Sequence, residues 1–334
     1  MKNKELKHKG ISYAKYGYIF SIPFVLTFCV CTLYPIIYTA FIGFTNLKGL
    51  GSTNFSLATP LFKNFKTVLT NRSFQIALKN TFTMWIINFI PQIVLALVLA
   101  AWFTNEQNNI KGKGFFKVVF YMPNIITAAT IAILFASLFA YPVSPVNYLL
   151  EKMGYPKFDF PQSKLAARLI VAFIQFWMWY GYTMIVLTSG ILGISPEIFE
   201  AAEIDGANGV QKFFKITLPN LKTIMLFTLV TSLIGGLQMF DIPSLLMQNS
   251  GPDNATLTTS VFIYNQAFKG SYMFNRAAAA SMVMFLIIAV LSAIIFFLLR
   301  DKDEARMIKA EKERIREYKK QQKMLLQDPN GGQK

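Results

Sequence analysis

Histidine is nearly absent from this chain. The only one, His8, stands in a lysine-rich stretch, so metal centres and nucleophile triads built on imidazole are excluded. The two cysteines, Cys29 and Cys31, lie one residue apart within an apolar run. They point to different faces of one helix, so free, buried thiols are expected and a structural disulfide is not. No Gly-x-x-x-x-Gly-Lys-Ser/Thr run occurs. Lys111-Gly112-Lys113-Gly114 is basic and flexible but lacks the spacing and the preceding strand. Any ATP that is used must therefore be hydrolysed by another polypeptide. Paired carboxylates, a serine–histidine set and metal-ligand spacings are missing too, and the chain is read as no enzyme.

Apolar surface is what the chain has in excess. Hydrophobic residues make up 54% of it and the mean hydropathy is +0.41, too apolar for a soluble domain of this length. The net charge of +16 could suggest nucleic acid, but the positive residues lie between apolar runs rather than on an aromatic-studded soluble face. A bilayer explains them better. Six runs are long enough to cross one, at roughly 16–42, 80–103, 117–140, 166–189, 222–247 and 277–299. The division expected is a basic tail at 1–15, a six-span domain at 16–299 and a second basic tail at 300–334. The lysines before the first run mimic a signal peptide, but that run is too long for a signal core and lacks a small-residue cleavage site. Lys and Arg favour the inner segments two to one if both termini are inside, and evenly without the C-terminal tail.

Within the spans, Pro23 and Pro35 are expected to kink the first helix. The outer loop after it carries Asn54, Pro60 and a short amphipathic helix near 65–69. Asn88, Pro91 and Gln92 sit in the second span, and Met122-Pro123-Asn124 opens the third. Polar groups at this depth face other helices or a watery path, and interhelical hydrogen bonding is the plainer use. Gln175, Trp177, Trp179, Tyr180, Gly181 and Tyr182 cluster mid-span, where interfacial anchoring explains them poorly. Aromatic planes beside amides suit a sugar; core packing suits them equally well. Asp241 is the one acid inside an apolar run, near its outer end, and is read as a solvated helix end or a proton or cation site. Ala289 and Ala293 suit helix packing. The tail mixes Lys and Arg with Glu at helical spacing and reads as a solvated helix near anionic head groups.

The most informative segment is the loop at 190–221. Ser195 and Pro196 read as an N-cap and a first helical residue. Glu197, Glu200 and Glu203 suit the early turns, where the helix dipole favours negative charge. Gly206 can end the helix in a left-handed cap, and Asn208 can start a second one. An ordinary amphipathic loop helix would account for these features singly. The order Glu200-Ala201-Ala202, Asp205-Gly206-Ala207, then Phe213, Ile216, Leu218 and Pro219 resembles the EAA loop of ABC-importer permeases, especially sugar permeases of the maltose and glycerol-phosphate type. The outer segment Ser250-Gly251-Pro252-Asp253 with Thr256 is similar to that family's Gly-Gly-Pro turn, with Ser250 in place of the first glycine.

The resemblance covers about 16–299 and implies an all-α integral membrane protein of the type I ABC-importer permease fold. Six transmembrane helices would carry a cytoplasmic coupling helix between spans 4 and 5. It implies a permease subunit for a sugar or oligosaccharide in a bacterial-type plasma membrane, with both termini cytoplasmic. The implied partners are a second homologous permease, two copies of a cytoplasmic ATPase that hold the ATP and Mg, an extracellular or lipid-anchored solute-binding protein, and the bilayer; no nucleic acid and no cofactor of this chain's own are implied. Glu200, Ala201, Ala202, Asp205, Gly206, Phe213 and Pro219 would couple to the ATPase. By register, the substrate path would fall near Tyr180, Gly181, Met184, Leu233, Gly236, Leu237 and Phe240. The alternative is a self-contained secondary transporter or channel that uses Asp241 and the intramembrane amides.

Overall fold

A computed structural model describes residues 14–52, 56–105, 110–247, 250–270, 272–300 and 310–320. His8, Asn54 and most of both predicted tails lie outside them. In chain order the described helices are α1 (Ala14–Phe28), α2 (Tyr34–Gly43), α3 (Lys63–Thr70), α4 (Arg72–Thr104), α5 (Lys113–Ile125), α6 (Ala128–Leu138), α7 (Pro145–Lys152) and α8 (Lys164–Leu192). They continue with α9 (Pro196–Ile204), α10 (Gly209–Lys212), α11 (Leu218–Asn220), α12 (Lys222–Leu237), α13 (Asp241–Leu246), α14 (Thr259–Phe268) and α15 (Phe274–Leu299), and 310–320 is helical. Pairing of strand type among the described residues is limited to one bridge between Thr45 and Leu57.

Five stretches are long and apolar enough to cross a membrane: Lys15–Gly43, Arg72–Thr104, Lys164–Leu192, Lys222–Leu246 and Phe274–Leu299. The expected third span is no single helix. α5 and α6 meet at 89°, because Ile126 and Thr127 are both extended. The Thr127 side chain accepts from the Thr130 N–H and so starts a new helix. The apolar run conceals this corner, since the two helices together are long and apolar enough to read as one span. The fifth span is interrupted as well, at 238–240. There the carbonyls of Met239 and Leu237 accept from Thr258 Oγ1 at 2.9 Å and Thr259 Oγ1 at 3.4 Å. In a bilayer, side chains must satisfy a backbone broken in this way.

Two prolines are accommodated by one device. Pro35 and Pro219 each follow a five-residue π-helical turn, Cys29–Leu33 and Phe213–Thr217. In each case the residue just before the proline donates across the widened turn, Tyr34 to Cys29 O and Leu218 to Phe213 O. Widening moves the preceding turn's carbonyl away from the ring that would strike it. The first span therefore runs unbroken past Pro35, and α1 continues through Pro23. The cysteines of this span are free as expected but exposed rather than buried, because none of the described residues covers its middle.

The chain divides into two compact units. In the first, residues 1–74 and 262–285, Asn64 is the organising side chain. It donates to the carbonyls of Gly43 at 2.9 Å and Thr45 at 2.7 Å, and it accepts from Asn275 at 3.1 Å. The short amphipathic helix expected at 65–69 is α3, which carries this asparagine.

The second unit, residues 75–261 and 286–334, holds two apolar clusters. One gathers Met84, Ile131, Phe135, Ile174 and Ile242 around α6, α8 and α13. The other gathers Ala100, Phe103, Met184, Leu187 and Leu221 around α4, α8 and the start of α12. The segment 250–258 is tied down by polar contacts. Arg168 donates to Ala255 O and to Asn80 Oδ1, both at 2.9 Å, while Asn80 donates to Asn254 O at 2.7 Å. Lys164 bonds Asp253; that hydrogen bond first, and the lysine's charge second, hold the aspartate below its usual carboxylate range. Removing a charged donor from a part-buried network costs about 1.5–3 kcal/mol. Arg168→Leu is therefore expected to speed amide exchange at Thr256, Leu257 and Thr259 about tenfold or more and leave α8 protected. Unchanged exchange there would show that the arginine does not hold the segment.

Candidate functional site

Local chemistry shapes the 190–221 loop. α9 begins with Pro196 after Ser195, whose side chain makes no capping bond, so proline's fixed φ and the Glu197 charge set this end. At the other end Ala207 N–H donates to Ala202 O and Gly206 N–H to Glu203 O. That pair is the Schellman closure, and it requires the left-handed φ of +77° at Gly206. α10 starts with a full capping box between Asn208 and Gln211, both bonds 2.9 Å. Lys212 Nζ then lies 2.6 Å from Glu203 Oε1, locking the two helices together.

Glu200, Ala201, Asp205, Gly206 and Pro219 are exposed, and Ala202 and Phe213 are half-buried. Glu200, Glu203 and Phe213 line a cavity of about 210 Å³ with Ala101 and Thr104 at the end of α4. Three apolar residues that motif reading passed over stand out: Ile204 is 88% exposed, Val210 67% and Phe214 60%. The signal for them was present, as bulky apolar residues flanking a glycine turn in an otherwise polar stretch. The two-helix knob therefore carries an exposed apolar crown.

A second cavity, of about 260 Å³, lies among α4, α8 and α12. On α8 its wall is Gln175, Trp179, Tyr182, Thr183 and Val186, and on α12 it includes Phe227, Thr228, Thr231, Ser232 and Gly235. These spacings of three and four put one face of each helix on the cavity. Asn88 and Gln92, one turn apart, complete it from α4. Gln92 Nε2 donates to Thr183 Oγ1 at 2.8 Å; the Trp179 and Tyr182 rings stand edge to face at 5.9 Å.

The mid-span aromatic cluster thus splits by face. Trp177 packs beside Phe135, and Tyr180 stacks on Phe176 with centroids 5.6 Å apart. Of the positions carried over by register, only Gly236 borders the cavity. Met184, Leu233 and Leu237 are fully buried core, Phe240 is half-buried at the break, and Gly181 is pressed against the Phe120 backbone. Gly236 itself makes room for the Trp85 indole, whose Nε1 donates to Ser232 Oγ at 3.3 Å. The hydroxyl stripe Thr228, Thr231, Ser232 was the overlooked signal. Asp241 is exposed in the first turn of α13 and does not border the cavity. No cluster of three metal-ligating side chains occurs among the described residues.

Residues 68–309 match the family described as binding-protein-dependent transport system inner membrane component. The chain is 31% identical over 285 residues to the arabinooligosaccharides transport system permease protein AraP of Bacillus subtilis (strain 168), covering 83% of this chain and 86% of that one. It is 31% identical over 293 residues to the lactose transport system permease protein LacF of Rhizobium radiobacter, covering 86% and 94%. Among solved structures, it is similar to a chain of a bacterial ABC transporter involved in the import of the acidic polysaccharide alginate. That match has a TM-score of 0.73 at 22% identity and covers 86% of this chain and 96% of the other.

Proposed function

We infer the role of this chain from one premise: it belongs to the binding-protein-dependent transport system inner membrane component family. It is a multi-pass membrane permease subunit and not an enzyme. We propose that its cargo is a sugar or oligosaccharide, as the names of its relatives suggest. It forms half of the translocation path beside a second, similar permease in a bacterial-type plasma membrane, with both termini in the cytoplasm. Two ATPase subunits bind the ATP and Mg and dock on the 190–221 loop, and an external solute-binding protein delivers the cargo.

The observation that carries the coupling role is the exposed knob, which follows α8 after three residues and leads into α12 through the π-helical turn and α11. Those two helices also wall the membrane-depth cavity. Moving the knob as a body would therefore reach both walls through short helical connections, which is how two arrangements of an ATPase pair could bias inward- and outward-facing states. Glu200 supplies a carboxylate for a charge-assisted contact, and Gly206 holds the turn. The self-contained transporter loses its acid, since Asp241 lies at an exposed helix end.

Trp179 and Tyr182 are the sugar platform in this reading, with Asn88, Gln92 and Gln175 as hydroxyl partners. The test is ATP-driven uptake by the complete importer in proteoliposomes. Tyr182→Ala is expected to lower uptake about tenfold with unchanged subunit stoichiometry, whereas Tyr180→Phe, on the packing face, is expected to leave it intact. Solute flux through this chain alone, without ATPase subunits, would overturn the coupled reading.

A further inference from the structure

The membrane-depth cavity has amides, hydroxyls and aromatic rings on its wall and no formal charge. Asn88, Gln92 and Gln175 supply carboxamides, Thr183, Thr231 and Ser232 supply hydroxyls, and none of the lining residues is Lys, Arg, Asp or Glu. The nearest cation before Gln175 on α8 is Arg168, two turns away, and its guanidinium is committed to Ala255 O and Asn80 Oδ1. On α12 the nearest is Lys222, five residues before Phe227 and outside the lining. We infer that this cavity selects uncharged sugar units and rejects uronic acids and sugar phosphates. The inference rests on the cavity lying on the cargo path, as proposed above.

The physical ground is desolvation. A neutral pyranose exchanges hydrogen bonds with water for bonds to amides and hydroxyls, and stacks its C–H face on Trp179 or Tyr182. Gln175 is placed for such an exchange: it is half-buried on the cavity wall. A carboxylate or phosphate entering the same space loses its hydration with no cation to offset the loss, and buried charge without a partner is strongly disfavoured. Neutral donors solvate an anion only in part. The volume of about 260 Å³ falls below the roughly 300–1,000 Å³ of sites that enclose drug-sized ligands, so the wall grips a unit or two of a longer chain. Likeness of fold to an importer of an acidic polysaccharide therefore does not carry cargo charge with it; the side chains on these faces decide it.

The test uses the complete importer with Cys29→Ser and Cys31→Ser, so that Thr231→Cys is this chain's single thiol. Among the described residues the Thr231 hydroxyl bonds its own helix, at Phe227 O and Thr228 O, so the replacement removes no hydrogen bond between described helices. Maleimide labelling of that cysteine is timed with lactose, raffinose or an arabino-oligosaccharide, and with lactobionate or a galacturonate oligomer. A neutral sugar is expected to slow labelling at concentrations where the anionic ones, even a hundredfold higher, do not. Adding Gln175→Arg is expected to bring protection by the anionic sugars. Equal protection by both classes would overturn charge selection while leaving the cavity on the path. No protection by any sugar, in an importer that still accumulates its cargo, would take the cavity off the path and the inference with it.

Discussion

Gly181→Ala is expected to prevent assembly of the permease, a larger effect than any substitution at the cavity wall. A Cβ built at Gly181 falls well inside van der Waals contact of the Phe120 carbonyl oxygen, 2.7 Å from Phe120 C and 2.9 Å from Tyr121 Cα. All three are backbone atoms, so no side chain can turn aside, and α5 would have to leave α8. The contact is held nearby by Asn124 Nδ2 donating to Met178 O at 3.1 Å. Overpacking usually costs about 1–3 kcal/mol, and a clash confined to backbone belongs at or above that upper end. Two other glycines grade the effect. At Gly236 the obstacle is the Trp85 indole, a side chain that can rotate at the expense of its bond to Ser232, so an intermediate loss is expected. At Gly235 nothing lies within 4 Å, and alanine there should be neutral or raise stability by up to about 1 kcal/mol through helix propensity. The yield of monodisperse complex and its thermal midpoint should fall in the order Gly235→Ala, Gly236→Ala, Gly181→Ala. A normal yield of Gly181→Ala would mean that the α5–α8 approach is looser than the structure gives.

The same glycine shows where sequence reading reached its limit. Register proposes Gly181, Met184 and Leu233 for the cargo path, whereas Met184 and Leu233 are buried and Gly181 lies against the Phe120 backbone; neighbouring helix positions are rotated by about 100°, so a shift of one or two changes the face. A span that is apolar all round offers little polarity contrast to fix that rotation. The cavity faces become visible only when Thr183, Thr231 and Ser232 are seen to share a space with Gln92. Bends were hidden for a related reason: α5 and α6 together read as one apolar run, and the Thr127 cap that marks the corner is a single residue within it. The 190–221 loop was legible because its determinants are local. Proline at the first helical position, glycine in the left-handed region and the Asn208–Gln211 box each act within a few residues. Its chemistry of contact was half legible, since the motif drew attention to Glu200 while the exposure of Ile204 depends on how α9 and α10 are locked by Glu203 and Lys212.

Ile204 is accordingly the position where one change should uncouple the machine without unfolding the permease. Its side chain is 88% exposed beside the Schellman turn, so its own fold gains almost nothing from it and Ile204→Asp should insert normally. Docked on an ATPase, the same side chain would be buried. Full burial of an isoleucine contributes about 1.5–3 kcal/mol, and an aspartate in its place adds the penalty of a desolvated charge. A combined loss of about 3–4 kcal/mol is more than a hundredfold in affinity. Val210→Asp, less exposed and farther from the turn, should lose less. Glu200→Lys is expected to weaken docking through charge rather than area, and added salt should weaken the wild-type contact at Glu200 more than the one at Ile204. The measurement is ATPase stoichiometry in the purified complex together with ATP-driven uptake. Retention of both by Ile204→Asp would place the docking surface elsewhere on the loop.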